Sequence, residues 1–344
     1  GKFIMGPEIT ELENKLSDLI GAKYVVSCSS GTDALLMALM AVGLGPGDAV
    51  FTSPFTFIAT ANVILLLGAT PVFVDIQMET FNLDPEKLEQ AIKQITAEGS
   101  LKPKCIIPVD IFGLPADYET INHIAGVYNL TVLEDAAQSL GAKVNKQNAC
   151  NLTDIAATSF FPAKPLGCYG DGGAVFTNNP EVHEKLTSIR VHGKGQNKYD
   201  TVRLGINGRM DTIQAAVLIQ KLNLFQEELD KRDRIAKKYQ NRLKGLLKLQ
   251  LVPENVKSTW AQFSLLTKNR EQMITSFKTH QIPYAIYYPK PLHLQKAFFG
   301  LKYKSNDFPI SEIVSKQIIS IPLHPYLEDD QAEFIIQVIE DAVK

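Results

Sequence analysis

Lys164 stands in the run from Ser159 to Gly173, SFFPAKPLGCYGDGG, between an apolar stretch and a cluster of glycines. A few tens of residues earlier, LEDAAQS supplies the acidic pair Glu134 and Asp135, with Gln138 close behind. An amine forms a Schiff base with an aldehyde only when it is unprotonated, so such a lysine needs surroundings that disfavour its charge. Phe160, Phe161, Pro162 and Leu166 provide apolar neighbours. Asp135 closes TVLED, a β-branched apolar run that reads as a buried strand with the acid at its C-terminal end. In open α/β sheets ligands sit at that edge. A carboxylate fixed there keeps a proton on a pyridine nitrogen, which is what makes pyridoxal phosphate (PLP) an effective electron sink.

Taken singly, a lysine after a Pro-rich turn is ordinarily solvated, and an aspartate at a strand end is ordinarily a helix cap. An upstream anion site shifts that balance. YVVSCSSGTDALLMALMAVGLGPGD reads as a strand, a Ser-Ser-Gly-Thr turn and a helix whose apolar residues recur through Leu35, Leu36, Leu39 and Met40. Gly31 allows close approach of the backbone to a ligand, and the first free helical amides, near Thr32 and Asp33, are expected to point at an anion such as a cofactor phosphate. The plainer reading is that Ser30 or Thr32 only caps the helix. Ser159 offers a second hydroxyl to the same phosphate. In SPFTFIATANVILLLGATPVFVD, Phe57 is placed to stack on a flat heteroaromatic ring with Ala137 at the other face, and packing in an ordinary core explains it equally well.

These groups need a scaffold. Helical and strand patterns alternate from Glu8 to about Gln220, as in α/β architectures with a mostly parallel sheet. A charge-rich amphipathic stretch, LNLFQEELDKRDRIAKKYQNRLKGLLKL, then reads as one long linking helix. Beyond it come strand-like FSLLT, a helix near Gln272 to Thr279, strand-like YAIYY and a final amphipathic helix from Asp329, which together make a smaller α+β unit. The expected division is a PLP-binding large domain over 1–225, then the linking helix and small C-terminal domain over 226–344.

Composition narrows the classes. With 344 residues the chain is long enough for two cores, and a net charge of -2 gives no basic surplus for nucleic acid. The longest apolar stretch, around ILLLGATPVFV, is too short to span a membrane, and GKFIMGPEI has no secretory pattern. Cys28, Cys105, Cys150 and Cys168 lack metal or redox spacing, which suits a reducing cytoplasm, and the histidines show no metal-ligand pairing. No GxGxxG follows a strand, which argues against a nicotinamide dehydrogenase.

SSGTDAL, FTFIATAN, VLEDAAQSLGA, TSFFPAKPLGCYGDGGA and GINGRMD, in this order and with PLHPYL near the C-terminus, resemble the nucleotide-sugar aminotransferases of the DegT/StrS family. The resemblance covers essentially the whole chain, and its motifs are specific as a set. CNLTDIAATSFFPAKPLGCYGDGGAVFTNN looks most like members that convert a UDP-linked 3-keto sugar acid, 2-acetamido-2-deoxy-3-oxo-glucuronate, to its 3-amino product for bacterial surface polysaccharide such as lipopolysaccharide O-antigen. The resemblance implies an aspartate-aminotransferase-type fold (PLP fold type I), with PLP and its amine form PMP as cofactor. It also implies glutamate as amine donor, leaving as 2-oxoglutarate, and a cytoplasmic homodimer with shared active sites.

Residue by residue, the resemblance implies that Lys164 binds the cofactor aldehyde and then moves the proton. Asp135 would pair with the ring nitrogen, Gln138 would lie near the ring hydroxyl, and Thr32 and Ser159 would hold the phosphate. Asn207 matches a residue that reaches the phosphate from the neighbouring subunit. Gly1, Phe3, Ala163, Arg209, Tyr287 and Tyr288 match nucleotide-sugar contacts, and Arg203 is a further candidate for an anionic group. Tyr287 stands where the sugar-acid enzymes carry a histidine, and Phe3 where they carry a tyrosine. Both departures fall on the substrate side and leave the reaction type alone. The alternatives are a neutral 3-keto- or 4-keto-6-deoxy sugar on dTDP or GDP, and a PLP-binding regulator without catalysis. A dehydratase of the same fold would carry histidine at the position of Lys164.

Overall fold

The computed structural model of the chain describes residues 1–197 and 199–343. Strands β1 (Tyr24–Cys28), β2 (Asp48–Thr52), β3 (Thr70–Phe73), β4 (Lys102–Ile107) and β5 (Thr131–Asp135) alternate with helices α1 (Pro7–Ile20), α2 (Gly31–Ala41), α3 (Ala59–Leu66), α4 (Pro85–Glu98) and α5 (Tyr118–Tyr128). The short strands β6 (Lys143–Val144) and β7 (Gln147–Asn148) precede β8 (Ile155–Ser159), β9 (Gly173–Thr177) and α6 (Pro180–Ile189). Seven of these strands form one sheet in the order β1-β9-β8-β5-β4-β2-β3. Only β9 runs antiparallel to its neighbours. The expected mostly parallel α/β sheet is therefore present, and its strands are almost wholly buried, as helices on both faces require.

Helix boundaries follow local chemistry. In α4, Asp84 caps the amides of Glu86 and Lys87, Pro85 opens the first turn and Gly99 closes the last in the left-handed region. Helix α2 is apolar nearly all round, and six of its side chains are buried between the sheet and helices α3 and α6.

The long helix α7 (Thr212–Leu243) begins earlier than its charge pattern suggests and joins two packing regions. Leu218, Ile219, Phe225 and Leu229 belong to a core with α1 and β9, whereas Ile235, Ala236, Tyr239 and Leu243 belong to a second core. That second core covers an antiparallel three-stranded sheet, β10 (Lys248–Leu249), β12 (Phe263–Leu266) and β13 (Ile318–Ile321), packed with α8 (Arg270–Thr279) and α10 (Asp329–Val343). Strand β11 (Val256–Lys257) pairs instead with β6, which pairs on its other side with β7. The segment YAIYY does not form the expected strand. It makes a single bridge, Ala285 to Ser320, because Pro283 and Pro289 flank it and supply no amide donor to a ladder. Among the described residues no helix is long and apolar enough to cross a membrane.

Asp75, just beyond β3, ties these regions together. Its carboxylate accepts the amides of Ile310 at 3.0 Å and Ser311 at 2.9 Å, and the Ser311 hydroxyl at 2.6 Å, at the start of helix α9 (Pro309–Gln317). Burial raises its pKa, but the hydrogen bonds from Ser311, Ile310 and Ile76 outweigh burial and bring it below the ordinary 3.8. A depressed carboxyl contributes stability above its unfolded pKa and loses it as pH falls through the folded value. Asp75→Ala is expected to cost about 2–3 kcal/mol at neutral pH. Denaturant unfolding should show the gap between wild type and variant narrowing as pH falls below 3.8; a gap that stays constant into acid would contradict the assignment.

Candidate active site

The sheet order brings the predicted residues to one edge. Cys28 at the end of β1 lies opposite Gly173 at the start of β9, and Gly173 lies opposite Ser159 at the end of β8. On the next strand Asp135 ends β5 beside Ala157. The turn after β1, Ser159 and Asp135 therefore share the carboxyl edge of the sheet, where ligands bind in such folds.

Two glycines let this edge close up. A Cβ on Gly31 would come within 2.6 Å of the Ser159 Cβ, and one on Gly173 would lie 2.4 Å from the Ser30 carbonyl oxygen. No side chain fits at either place. The Ser30 hydroxyl accepts the Asp33 amide at 3.0 Å, so the capping reading holds for Ser30. That bond also corrects the expected pair of anion-facing amides, because Asp33 is taken by the cap. Gly31 and Thr32, at the first two helical positions, keep amides that no intrahelical carbonyl can reach. A helix start with two such amides, crossed by a serine hydroxyl, suits a phosphate.

Asp135 is buried with 4% of its surface exposed. One of its oxygens accepts the Thr60 hydroxyl at 2.7 Å and the other the Ala137 amide at 3.2 Å. Burial raises its pKa, while those two donors and the Lys164 cation pull the other way. Lys164 shows the mirror image, with its pKa lowered by burial and partly restored by Asp135. The two groups thus sit in one electrostatic environment, with the amine shifted toward its neutral, nucleophilic form. Glu134 points to the opposite face, as adjacent strand residues must. Its carboxylate receives the amides of Cys150 at 2.6 Å and Leu152 at 3.2 Å. Of the acidic pair, only Asp135 serves this edge.

Gln138 is fixed from both sides. Its Oε1 accepts the Phe112 amide at 2.5 Å, and its Nε2 lies 3.4 Å from the Tyr288 hydroxyl. Burial pushes the Tyr288 phenol well above its usual pKa, so it stays a neutral hydroxyl, here accepting from Gln138. Phe57 is 56% exposed, which removes the ordinary-core reading and leaves its ring face open. Sequence reasoning missed Thr60. Its signal lay in FTFIATAN, where Thr56 and Thr60 are spaced one helical turn apart and their hydroxyls lie 3.3 Å from each other.

The sequence profile of the DegT/DnrJ/EryC1/StrS aminotransferase family matches residues 1–340. The chain belongs to this family. It is 46% identical to the UDP-2-acetamido-2-deoxy-3-oxo-D-glucuronate aminotransferase of Pseudomonas aeruginosa, over 97% of this chain and 90% of that one. It is 39% identical to the UDP-N-acetyl-3-dehydro-alpha-D-glucosamine 3-aminotransferase of Acidithiobacillus ferrooxidans, over 98% and 89% of the two chains. A crystal structure of a DegT/DnrJ/EryC1/StrS aminotransferase from Brucella abortus superposes with a TM-score of 0.97 at 48% identity, covering 99% of this chain and 91% of that one. NtdA from Bacillus subtilis, solved with bound cofactor PMP, gives a TM-score of 0.92 at 31% identity over 100% and 78%.

The family's cofactor fits what is present. Two free amides and a serine stand at one end, a buried carboxylate at the other, and a lysine with a depressed pKa accompanies them. The remaining predicted residues lie at the periphery. Arg203 donates to Glu184 at 3.3 Å, as an arginine with a partly solvated partner commonly does. Asn207 and Ala163 are exposed and Arg209 is half-buried. Among the described residues the buried Nε of Arg209 has no hydrogen-bond partner. Gly1 and Phe3 line a shallow groove with Thr212, Ile213 and Ala216.

A hydroxyl donating to a carboxylate is worth about 1.5–3 kcal/mol. Thr60→Val removes that donor from Asp135 and is expected to lower kcat/KM by on the order of 10–100-fold. Steady-state kinetics at saturating PLP checks this, and rates within about twofold of wild type would remove Thr60 from the site.

Proposed function

We propose that this chain moves the amino group of glutamate to the 3-keto carbon of UDP-2-acetamido-2-deoxy-3-oxo-glucuronate, releasing 2-oxoglutarate. The similarity to the Pseudomonas aeruginosa enzyme along nearly the whole chain carries this reading. The half-buried Arg209, with its unpartnered Nε, adds a cation suited to an acidic sugar or to glutamate. The Acidithiobacillus ferrooxidans relative names a UDP sugar without the acid group, so an uncharged C6 is the competing substrate.

PLP, when bound, supplies the electron sink that lets a C–H bond beside nitrogen ionise. Lys164, shifted toward the neutral amine by burial, would be the residue that holds the cofactor aldehyde and the base that takes and returns the proton at the reacting carbon. Asp135 keeps a proton on the ring nitrogen through its buried carboxylate, which Thr60 and the Ala137 amide hold in place. Gln138, braced by Phe112 and Tyr288, stands at the ring hydroxyl. Gly31, Thr32 and Ser159 would hold the phosphate, and Phe57 would cover a face of the ring. Gly1, Phe3, Ala163, Arg203, Arg209, Tyr287 and Tyr288 form the substrate side.

Asn207 completes the phosphate site from a neighbouring subunit, so the working unit is a homodimer. Its exposure supports that role, as do the exposed apolar side chains Val202 and Leu204 nearby and Leu66, Phe57 and Phe161 elsewhere. We place the enzyme in the cytoplasm, serving surface polysaccharide such as lipopolysaccharide O-antigen.

Purified protein with PLP is expected to absorb in the visible and to give a borohydride-fixed adduct on Lys164, which Lys164→Ala abolishes together with all turnover. In a panel of keto-sugar nucleotides with labelled glutamate, the UDP 3-keto sugar acid should be aminated best. Turnover confined to neutral sugars would replace the substrate, and a colourless protein without adduct would remove the cofactor reading.

A further inference from the structure

Arg190, one residue past α6, is buried although its guanidinium is permanently charged. Its Nη1 donates to the Glu13 carboxylate at 2.6 Å and to the Ser27 carbonyl at 3.0 Å. The same Glu13 oxygen, on α1, accepts the Ser27 amide at 2.9 Å and the Ser27 hydroxyl at 2.7 Å. Glu13 and Arg190 thus grip the residue before the last of β1 through its amide, hydroxyl and carbonyl.

The backbone of Arg190 makes a second connection. Its carbonyl accepts the Gly208 amide at 3.0 Å, and the Gly208 carbonyl accepts the Ser29 amide at 3.0 Å. Hydrogen bonds therefore run from Arg190 to Ser27, along the chain to Ser29, across to Gly208 and back to Arg190. Ser29 opens the Ser-Ser-Gly-Thr turn, and Gly208 lies between Asn207 and Arg209. A Cβ at Gly208 would come within 2.9 Å of the Met37 sulfur on α2, so this segment lies directly on the helix that begins with that turn.

We propose that Arg190, clamped by Glu13, is a positioning residue that fixes in one register the Ser29–Thr32 turn, which meets this subunit's cofactor phosphate, and the Asn207–Arg209 segment, which reaches toward the neighbouring subunit's. This rests on reading that turn as the phosphate site. Arg190 touches neither cofactor nor reacting atoms. Removing its guanidinium leaves the partly buried Glu13 without its counter-ion and frees the Ser27 carbonyl, so the closed circuit opens on its β1 side. The Gly31 and Thr32 amides then lose their fixed aim, and affinity that depends on aim falls first for the phosphate.

The test titrates full-length apoprotein with PLP and, separately, with pyridoxal, which lacks the phosphate, following absorbance and thermal unfolding. Arg190→Met is expected to weaken PLP binding about tenfold or more and Glu13→Gln by a smaller factor, while pyridoxal affinity stays within about twofold. Arg232→Met serves as control, since that buried guanidinium on α7 bonds the Trp260 and Leu323 carbonyls, outside the circuit. It should lower the unfolding temperature and leave PLP affinity unchanged. Equal PLP affinity in Arg190→Met, or in Glu13→Gln should the first variant fail to fold, overturns the proposal. So does a parallel loss of pyridoxal binding, or an equal loss in Arg232→Met. Wild-type protein that takes up neither compound overturns the cofactor reading itself, and this inference with it.

Discussion

A carboxylate taken out of water at the end of β5 is the constraint around which this edge of the sheet is organised. Asp135 has little solvent to stabilise its charge, so the charged form depends on the Thr60 hydroxyl, the Ala137 amide and the neighbouring Lys164. Each comes from a different element, and each must be held. Thr60 arrives on α3, Ala137 on the turn after β5, and Lys164 on the loop between β8 and β9. The strand end itself is fixed by bonds between Asp135 and both Pro108 and Asp110. Burial that raises the acid also lowers the amine, so one pocket prepares both groups.

Much of this was legible because parallel strands and helix starts leave strong local patterns. TVLED, the Ser-Ser-Gly-Thr turn and the glycines after Lys164 each combine a conformational demand with a chemical group, and those combinations survive in the string of letters. Gly31 illustrates why: contact with Ser159 requires glycine, so the residue type records a tertiary fact. Thr60 was only half legible, since its spacing from Thr56 marks a helical turn but not the strand-end carboxylate it faces. YAIYY misled for a related reason, its β-branched and aromatic letters being outweighed by flanking prolines and by the one bridge available to it. Likewise Asp33 read as an open amide because the sequence does not say which neighbour Ser30 will cap.

The periphery is built differently from the centre. Asp135, Gln138 and Ser159 sit on or beside strands of the main sheet, and their partners are backbone amides or short hydroxyls. Arg203, Asn207, Tyr287 and the N-terminal residues lie on loops, more exposed and with few internal partners. Loops change without disturbing a core, whereas a strand end does not. If Phe3 and Tyr287 meet the sugar as proposed, a change of residue there would bear on which sugar is held and leave the proton chemistry intact. Tyr288 is the exception, because its bond to Gln138 carries information from the periphery to the centre.

Three carboxyls meet near the end of β5, and they do not share one charge state. Burial pushes Glu134 well up, with the Asp110 charge adding to it, and pushes Asp110 to about 7, with the Asp135 charge adding to it. Asp110 accepts the Ser139 and Tyr118 hydroxyls and the Ala116 amide, yet burial outweighs them. Folded pKa values above the unfolded ones mean that the native state holds protons the unfolded chain has lost. This pair therefore subtracts stability as pH rises from the ordinary carboxyl range toward about 7. The compensation is electrostatic: with a proton kept on the far side of the strand, Asp135 is left as the charge that Lys164 feels. Burial lowers Lys164 more strongly than the Asp135 charge raises it, so the carboxyls behind β5 leave the amine in front of it reactive.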